Sequence, residues 1–327
     1  MARIHAAMDE VLVSYEDGET TRRLEGFDLE CLACSPDEPD RVFVGTFENG
    51  LQRSTDGGRS FERLEADFVS DAVLSLAVSP HDPDTVYAGT EPSRVYRSDD
   101  GGGSWTRLEG IADLPSEEEW YFPPRPDTHH TRWIEVDPFD PDRLYVGIEA
   151  GALLVSPDGG ETWRERPPGS RRDNHSLATH PGREGRVYSA AGDGFAVSDD
   201  GGDSWTHPQE GLDHRYCWSV VPDPDDPDLV LLSSASGASS AHTAERAEAY
   251  VYCCGGLGGR WERLEGEFPT GEGVVRAEFS THGGVVYGVT NRGVFRSPDF
   301  GDSWERVGLE WDEDLEALAP RGFVAVS

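Results

Sequence analysis

The sequence predicts an all-β fold, namely a seven-bladed β-propeller of four-stranded antiparallel blades that spans residues 1–327 as a single domain. The main observation is internal repetition, since a block of the form Ser-x-Asp-Gly-Gly-x-Ser/Thr-aromatic recurs along the chain. A short apolar run lies upstream of each block, and a turn rich in proline and aspartate precedes that run. The blocks are Ser54–Phe61, Ser98–Trp105, Ser156–Trp163 and Ser198–Trp205, with a variant at Ser297–Trp304.

Each block has the chemistry of a tight hairpin turn. An aspartate such as Asp56 or Asp158 can accept hydrogen bonds from backbone N–H groups of the turn, and the glycines supply positive φ angles. The aromatic residue that closes the block can pack beside the hairpin. We therefore expect each repeat to form four antiparallel strands, with the block between the third strand and the fourth.

The spacing of the repeats predicts six complete blades. Units begin at similar segments, such as Leu32–Pro36 and Leu76–Pro80. The interval from Asp200 to Asp299 is about twice the usual one, so it contains two units. We expect the missing block to be the degenerate segment Cys254–Trp261, which keeps its glycines and a tryptophan but has no aspartate.

A seventh blade is predicted from the two ends of the chain. Leu315–Pro320 and Gly322–Val326 are expected to supply two strands, and Val11–Ser14 and Thr21–Leu24 two more. Both termini would then close the ring within one blade. Closure of this kind removes the exposed sheet edges that would otherwise pair with other chains.

The blocks resemble the Asp-box, or BNR, repeat of sialidases, sortilin-type receptors and photosystem assembly factors. The resemblance covers nearly the whole chain and implies a propeller, but the repeat serves enzymes, receptors and scaffolds alike. Resemblance to sialidases would imply an arginine cluster for a substrate carboxylate and a tyrosine nucleophile, for which Tyr216 is the candidate. The chain has no Phe/Tyr-Arg-Ile-Pro segment near its start and seven expected blades instead of six, so we do not expect sialidase activity itself.

The charge of the chain limits its partners and its setting. The formal net charge is −35, with 63 acidic and 28 basic residues, and every basic residue is arginine. Such a surface repels phosphate groups, so neither nucleic acid nor a membrane is an expected partner. It is typical of a halophilic protein, because molar salt shortens the Debye length to ~3 Å. The start, Met1–His5, has no apolar signal core, and we expect a cytoplasmic protein.

Strand parity predicts where a functional site lies. The turns between second and third strands and the crossovers between blades share the face opposite the repeat blocks. Four segments on that face are long or rich in aromatic, basic and titratable residues, which is typical of binding and catalytic loops. They are Leu114–Trp133, Arg171–His175, Asp213–Trp218 and Ser233–Glu248.

These segments contain the candidate site residues, because five of the ten histidines fall in them. The candidates for acid, base or nucleophile are His129, His130, His175, His214 and Tyr216. The candidates for ligand binding are Trp120, Arg125, Arg132, Arg215, Trp218, His242, Arg246 and Glu248. The candidates for a divalent metal are His129, His175, His214 and His242.

Each of these residues also has a structural interpretation. Trp120 could fix a long loop, the arginines could form surface ion pairs with the abundant carboxylates, and single histidines could satisfy local hydrogen bonds. Two functions therefore stay open. In the first, the face is a pocket for a small anionic or sugar-like ligand, with hydrolase or lyase activity and a divalent metal to be tested. In the second, the same face is a non-catalytic scaffold that binds a protein partner.

Overall fold

Seven antiparallel β-sheets form a closed ring in the computed structural model, which describes residues 2–256 and 259–327. The first strand of every blade contacts the first strands of both neighbouring blades, so these strands surround a central channel. Hydrophobic side chains of facing sheets fill the spaces between blades. The predicted seven-bladed propeller of four-stranded blades is confirmed.

The first three blades have four strands each, and the sheets follow the chain from the channel outward. The strands of blade 1 are Leu29–Ser35, Glu38–Thr46, Leu51–Ser54 and Glu62–Arg63. The strands of blade 2 are Val73–Val78, Val86–Thr90, Val95–Ser98 and Thr106–Leu108. The strands of blade 3 are Thr131–Val136, Leu144–Ile148, Ala152–Ser156 and Arg164–Glu165.

Blades 4 to 6 follow the same plan with local variations. The strands of blade 4 are Asn174–Thr179, Val187–Ala191 and Gly194–Ser198, and a single bridge from Val197 to Thr206 takes the fourth position. The strands of blade 5 are Tyr216–Pro222, Leu229–Ala235, Glu248–Gly255 and Trp261–Arg263, and an additional Gly271–Glu272 pairs with Glu248–Gly255. The strands of blade 6 are Glu278–His282, Val285–Thr290, Gly293–Ser297 and Glu305–Arg306.

The two chain ends share blade 7, as predicted, but they divide it differently. The sheet order is Pro320–Val326, Arg3–Met8, Val11–Glu16 and Glu19–Arg23. One C-terminal strand and three N-terminal strands therefore close the ring, and the predicted division into two and two is wrong.

A helical turn explains the error. Leu315–Pro320 was expected to be a strand, but Glu313–Glu316 is a short α-helix in which the Asp312 side chain accepts a hydrogen bond from the Leu315 N–H at 3.2 Å. The other short helices of the described residues are Ile111–Asp113, Glu117–Glu119, Ala238–Ala241 and Ala244–Arg246. Within residues 2–256 and 259–327, no helix has the length and apolar character needed to cross a membrane.

The repeat blocks form the predicted turns between third and fourth strands. In the block of blade 3, Asp158 accepts hydrogen bonds from the backbone N–H and the hydroxyl of Thr162, at 2.8 and 2.5 Å. The Ser156 hydroxyl donates to Asp158 at 2.9 Å and accepts from the Gly160 N–H at 2.8 Å. Gly159 and Gly160 have φ angles of 71° and 94°, which explains why glycine is needed there. The turn is therefore held by its own side chains.

The degenerate block of blade 5 is described only in part, because Leu257 and Gly258 lie outside the described residues. Its Trp261 is buried, packs against Phe195 and donates from Nε1 to the Pro208 carbonyl at 2.7 Å. The tryptophan thus keeps a packing role in a block that has lost its aspartate.

Candidate functional site

A cavity of about 490 Å³ opens on the central channel at the face opposite the repeat blocks. Its wall is formed by the loop between blades 2 and 3, by turns that follow second strands, and by the beginnings of first strands. Six of the thirteen predicted site residues line it, and these are Arg125, His130, Arg132, Tyr216, Trp218 and His242.

The other end of the channel is chemically different. A second cavity of about 450 Å³ there is lined largely by Pro80, Pro138, Pro181 and Phe279 and by apolar residues of the first strands, with Glu135 as a charged residue of its own. Glu30, Arg132 and Arg321 lie between the two cavities and line both. More titratable side chains line the first cavity, including all of its histidines, and we call it the rim cavity. A site that combines charge with concavity is the stronger functional candidate.

His130 is the centre of a buried ionic network in the rim cavity. Its Nε2 lies 3.0 Å from Glu149 Oε2 and its Nδ1 lies 3.4 Å from Glu91 Oε2. Burial alone would lower the pKa of His130, but hydrogen bonds to the two carboxylates raise it. Burial would likewise raise the pKa of Glu149, yet the hydrogen bond from His130 and the neighbouring positive charges hold it well below its usual range. His130 and Glu149 therefore form a buried ion pair.

Arg125 extends this network to the edge of the cavity. Its Nε and Nη2 contact the two oxygens of Glu91 at 3.0 and 2.6 Å, and its guanidinium lies over the rings of Phe47 and Phe122. Although burial opposes it, pairing with His130 and Arg125 lowers the pKa of Glu91 to about 2. Arg125 is thus held in place and still 40% exposed toward the opening.

A second polar group lies across the cavity and is built on blade 5. The His242 Nδ1 accepts a hydrogen bond from Arg276 Nε at 2.9 Å, and its Nε2 lies 3.1 Å from the Tyr216 hydroxyl. Burial and the Arg276 charge lower the pKa of His242 to about 2, so the imidazole is neutral and donates from Nε2 to Tyr216. The Tyr216 O–H is then free to donate toward the cavity.

Trp218 connects the network around His130 with the polar group around His242. Its Nε1 donates to Glu278 at 2.6 Å, and the guanidinium groups of Arg132 and Arg276 lie 4.7 and 3.9 Å from its ring centre. The His175 ring is also 4.5 Å away. These neighbours occupy the Trp218 ring, so it orients the polar side chains and is not an open platform for stacking a ligand.

Three further atoms converge at the junction of blades 3 and 4. Glu149, Asp173 and His175 each place one possible ligand atom within 4.8 Å of the others. The His175 Nε2 lies 3.8 Å from Asp173 Oδ2 and 4.0 Å from Glu149 Oε1, and the His175 side chain is fully buried. Burial raises the pKa of Asp173. Two carboxylates and an imidazole thus share one small region of the wall.

The structure gives the remaining residues of the Leu114–Trp133 loop a different setting. Trp120 is buried in the hydrophobic core between blades 2 and 3 and donates from Nε1 to Ser116 at 2.8 Å. His129 lies 2.8 Å from the Ser93 hydroxyl and packs edge-on against Trp120. Both side chains fix the loop that carries His130, which is the structural interpretation given above.

Four other predicted residues lie away from the rim cavity. His214 stacks on Tyr250 and contacts the Tyr252 hydroxyl at 2.5 Å, both on the third strand of blade 5. Arg215, Arg246 and Glu248 are exposed, and Glu248 accepts from the Tyr250 hydroxyl at 2.8 Å. The structure therefore does not bring His129 and His214 to the same point as His175 and His242.

The sequence analysis missed two acids of the site, Glu91 and Glu149, which pair with His130. Glu91 and Glu149 each follow the last residue of a second strand, in the matching segments Val86–Glu91 and Leu144–Glu149. Alignment of the repeats on these segments would have shown that both positions belong to the same rim. Arg276 and Glu278, which flank the start of blade 6, carried no comparable signal.

The fold defines the class of the protein, which is a seven-bladed β-propeller with a polar cavity at one end of its channel. No family model matches the chain. Among curated proteins, the oligoxyloglucan-reducing end-specific xyloglucanase of Emericella nidulans is 33% identical to this chain over 79 residues. The matched segment covers 22% of this chain and 10% of that protein.

Several solved propellers have similar folds. The GH74 xyloglucanase from Xanthomonas campestris has a TM-score of 0.68 and 17% identity over 98% of this chain and 52% of that one. The GH74 enzyme of Niastella koreensis has a TM-score of 0.63 and 16% identity over 90% of this chain and 46% of that one. YCF48 bound to D1 peptide has a TM-score of 0.59 and 15% identity over 88% of this chain and 83% of that one.

These similarities concern the fold. The chain spans about half the length of the two GH74 structures, but most of the length of YCF48. At such low identity, the shared fold does not show which residues of this chain correspond to the site residues of those proteins.

Proposed function

We propose that the rim cavity binds a small polar ligand of sugar-like chemistry, and that the reaction to test first is glycosidase-like hydrolysis. The observation that carries this proposal is a set of buried nitrogen atoms with no hydrogen-bond partner among the described residues. They lie in the cavity wall or directly behind it, and they are Arg132 Nε, His175 Nε2 and Arg276 Nη2.

Unpartnered buried polar atoms are costly, at roughly 1–3 kcal/mol each, so folded proteins keep few of them. Three around a single cavity indicate a surface prepared for an incoming polar molecule. The free Tyr216 O–H adds a donor to the same surface. A ligand with several hydroxyl groups can accept from the two arginines and from Tyr216, and it can donate to His175 Nε2.

The charge of the wall favours a sugar-like ligand over a simple anion. Its carboxylates are Asp28, Glu30, Glu149 and Asp173. Its cations are Arg125, Arg132, Arg321 and the protonated His130. Each positive charge thus has a carboxylate in the same wall, although the chain as a whole carries −35. A balanced wall presents both donors and acceptors, which suits hydroxyl groups better than a lone phosphate.

Two further points support hydrolysis of a glycoside. Glycosidases generally use two carboxyl groups in one cavity, and Glu149 and Asp173 place two carboxyl groups in this wall. The volume of about 490 Å³ lies within the roughly 300–1,000 Å³ range of small-molecule sites. The GH74 xyloglucanases are propellers too, and this is why xyloglucan fragments belong in the ligand panel.

The proposal is tested by thermal unfolding and calorimetry of the full chain in molar salt with xyloglucan oligosaccharides, simple sugars, uronic acids and sugar phosphates. A ligand at a hundred times its dissociation constant adds about 2.7 kcal/mol of stability. Arg132→Gln is expected to weaken binding at least tenfold, because it removes a buried donor from the wall. The matched control is Arg246→Gln, an exposed arginine of the same face. Equal binding by both variants, or no binding by the wild type, contradicts the proposal.

Hydrolysis is a separate measurement on the same preparation. Release of reducing ends from a bound oligosaccharide is expected for the wild type and should fall at least a hundredfold in Glu149→Gln. A bound sugar that is never cleaved would retain the binding proposal and remove the enzymatic one.

A second function is favoured by one observation, which is that the chain matches YCF48 over 83% of that protein's length, in a structure with a bound peptide. The rim cavity would then receive an extended protein segment, and Tyr121, which is 44% exposed on the same loop, would contact it. If the chain is such a scaffold, a protein should co-purify with it in stoichiometric amount. Tyr121→Ala should weaken the binding of that protein. Sugar binding that Tyr121→Ala leaves unchanged would speak against it.

A further inference from the structure

We propose that Glu149 Oε1, Asp173 Oδ2 and His175 Nε2 form a binding site for a divalent transition metal ion, with its remaining coordination positions open to the rim cavity. This set differs from the four histidines expected above, and it mixes one imidazole with two carboxylates. The inference does not depend on the identity of the cavity's ligand.

The first argument is that each residue is anchored by one atom and presents another. The Glu149 Oε2 is held by His130 at 3.0 Å, which leaves Oε1 toward His175. The Asp173 Oδ1 accepts from the Ala150 N–H at 2.8 Å, which leaves Oδ2. The His175 Nδ1 lies 2.7 Å from the Cys217 carbonyl. Outer contacts of this type orient metal ligands in known sites.

The second argument concerns the proton on His175. Because a carbonyl oxygen only accepts, the Nδ1 atom is the donor, and the neutral imidazole has its lone pair on Nε2. That lone pair then faces two carboxylate oxygens at 3.8 and 4.0 Å, and Nε2 has no hydrogen-bond partner among the described residues. A positive charge between three electron-rich atoms stabilises so close a grouping at a largely buried place. A metal ion supplies this positive charge and binds the lone pair of His175 Nε2.

The third argument is steric. A Cβ atom added at Gly192 would lie 2.0 Å from Asp173 Oδ2 and 3.1 Å from His175 Cε1. Gly192 therefore keeps open the space beside two of the three proposed ligand atoms. Its backbone is not in the left-handed region, so contact and not conformation accounts for glycine at this position.

The donor set indicates the class of metal. One nitrogen and two carboxylate oxygens suit Zn²⁺, Mn²⁺ or Co²⁺ better than Ca²⁺ or Mg²⁺, which prefer oxygen ligands alone. An ion ~2.1 Å from each donor in tetrahedral geometry would hold the donors ~3.4 Å apart. The separations from His175 Nε2 are 3.8 and 4.0 Å and all three atoms lie within 4.8 Å of one another, so both carboxylates must turn inward to bind the ion. Glu149 and Asp173 also line the cavity, so a ligand oxygen can reach the ion.

The test is titration of the full chain, stripped with a chelator, with Zn²⁺, Mn²⁺ and Co²⁺ in molar salt. One equivalent is expected to bind, and bound Co²⁺ should show d–d absorption without the intense thiolate charge-transfer band. This spectrum separates the site from the five free cysteines. No stoichiometric binding of any of the three ions would overturn the proposal, since a proton on His175 would then supply the positive charge.

Three variants locate the ion. His175→Gln and Asp173→Asn should each weaken binding at least tenfold, whereas Asp193→Asn, an exposed aspartate close by in sequence, should leave it unchanged. Gly192→Ala should weaken binding while the unfolding transition stays cooperative, and it decides the matter if His175→Gln does not fold. Binding that persists in all three site variants would place the ion elsewhere and refute the assignment.

Discussion

Arg276 offers the sharpest test of how the site and the ring closure are linked. This arginine is fully buried, contacts Glu278 at 3.2 Å and donates to the Pro320 carbonyl at the start of the C-terminal strand. It also holds His242 in its neutral state. Replacing it with leucine leaves Glu278 as a buried carboxylate without its counter-charge.

The expected loss of folding stability follows from the uncompensated charge of Glu278. Removing one partner of a buried ion pair costs about 3–5 kcal/mol, and the lost hydrogen bonds to Pro320 and His242 place Arg276→Leu toward the upper end. Glu278→Gln should also destabilise the wild type, because it removes the counter-charge of Arg276. In the Arg276→Leu background, however, the same change should stabilise the protein, since the neutral amide still accepts from Trp218 Nε1.

The assay is urea unfolding of the four proteins of this double-mutant cycle at constant high salt. Urea is uncharged, so it leaves the ionic strength unchanged, and a buried pair is only weakly screened. The refuting results are clear. If Arg276→Leu costs less than about 1 kcal/mol, or if Glu278→Gln destabilises both backgrounds equally, the pair does not carry the stability assigned to it.

Two other predictions concern stability away from the cavity. Burial lowers the pKa of His5 to about 4, below its unfolded value of about 6.5, so the folded state binds fewer protons and stability should fall by up to about 3 kcal/mol as the pH drops from 7 to 4. His5→Gln should flatten this part of the pH profile measured by urea unfolding, and an unchanged slope would exclude His5 as its source. Asp158→Ala should lower the unfolding temperature, because the Thr162 N–H and hydroxyl lose their acceptor. Ligand binding at the opposite face should stay within error of the wild type, and a loss of affinity would contradict the separation of the two faces.

The sequence predicted the ring well because its repeat block is a self-contained turn. The bonds of Asp158 and Ser156 lie within the block, so a local pattern suffices to identify it. The end of the chain lacked such a pattern. There, Leu315–Pro320 has the apolar content of a strand, and only the capping bond of Asp312 shows that the segment is helical.

The site was harder to predict, for a reason of composition. With 63 acidic residues, no single carboxylate can be singled out as a site candidate. Histidine and tryptophan are scarce enough to be singled out. The prediction therefore found His130, Tyr216 and Trp218 but not the acids that pair with them. It also grouped residues by segment, although neighbours such as His129 and His130 have different surroundings, the first among loop side chains and the second in the cavity.

The repeat itself explains why the missing acids lie where they do. Every blade has one position directly after its second strand, and in this ring it is held by such different residues as Phe47, Glu91, Glu149 and Gly192. Because the second strands all end at the same face, these positions form a circle around the channel mouth. Blades 2 and 3 place carboxylates there, beside the crossover that carries His130, and blade 4 places a glycine that leaves room for Asp173. Part of the chemistry of the cavity is thus set by one variable position of an otherwise structural repeat.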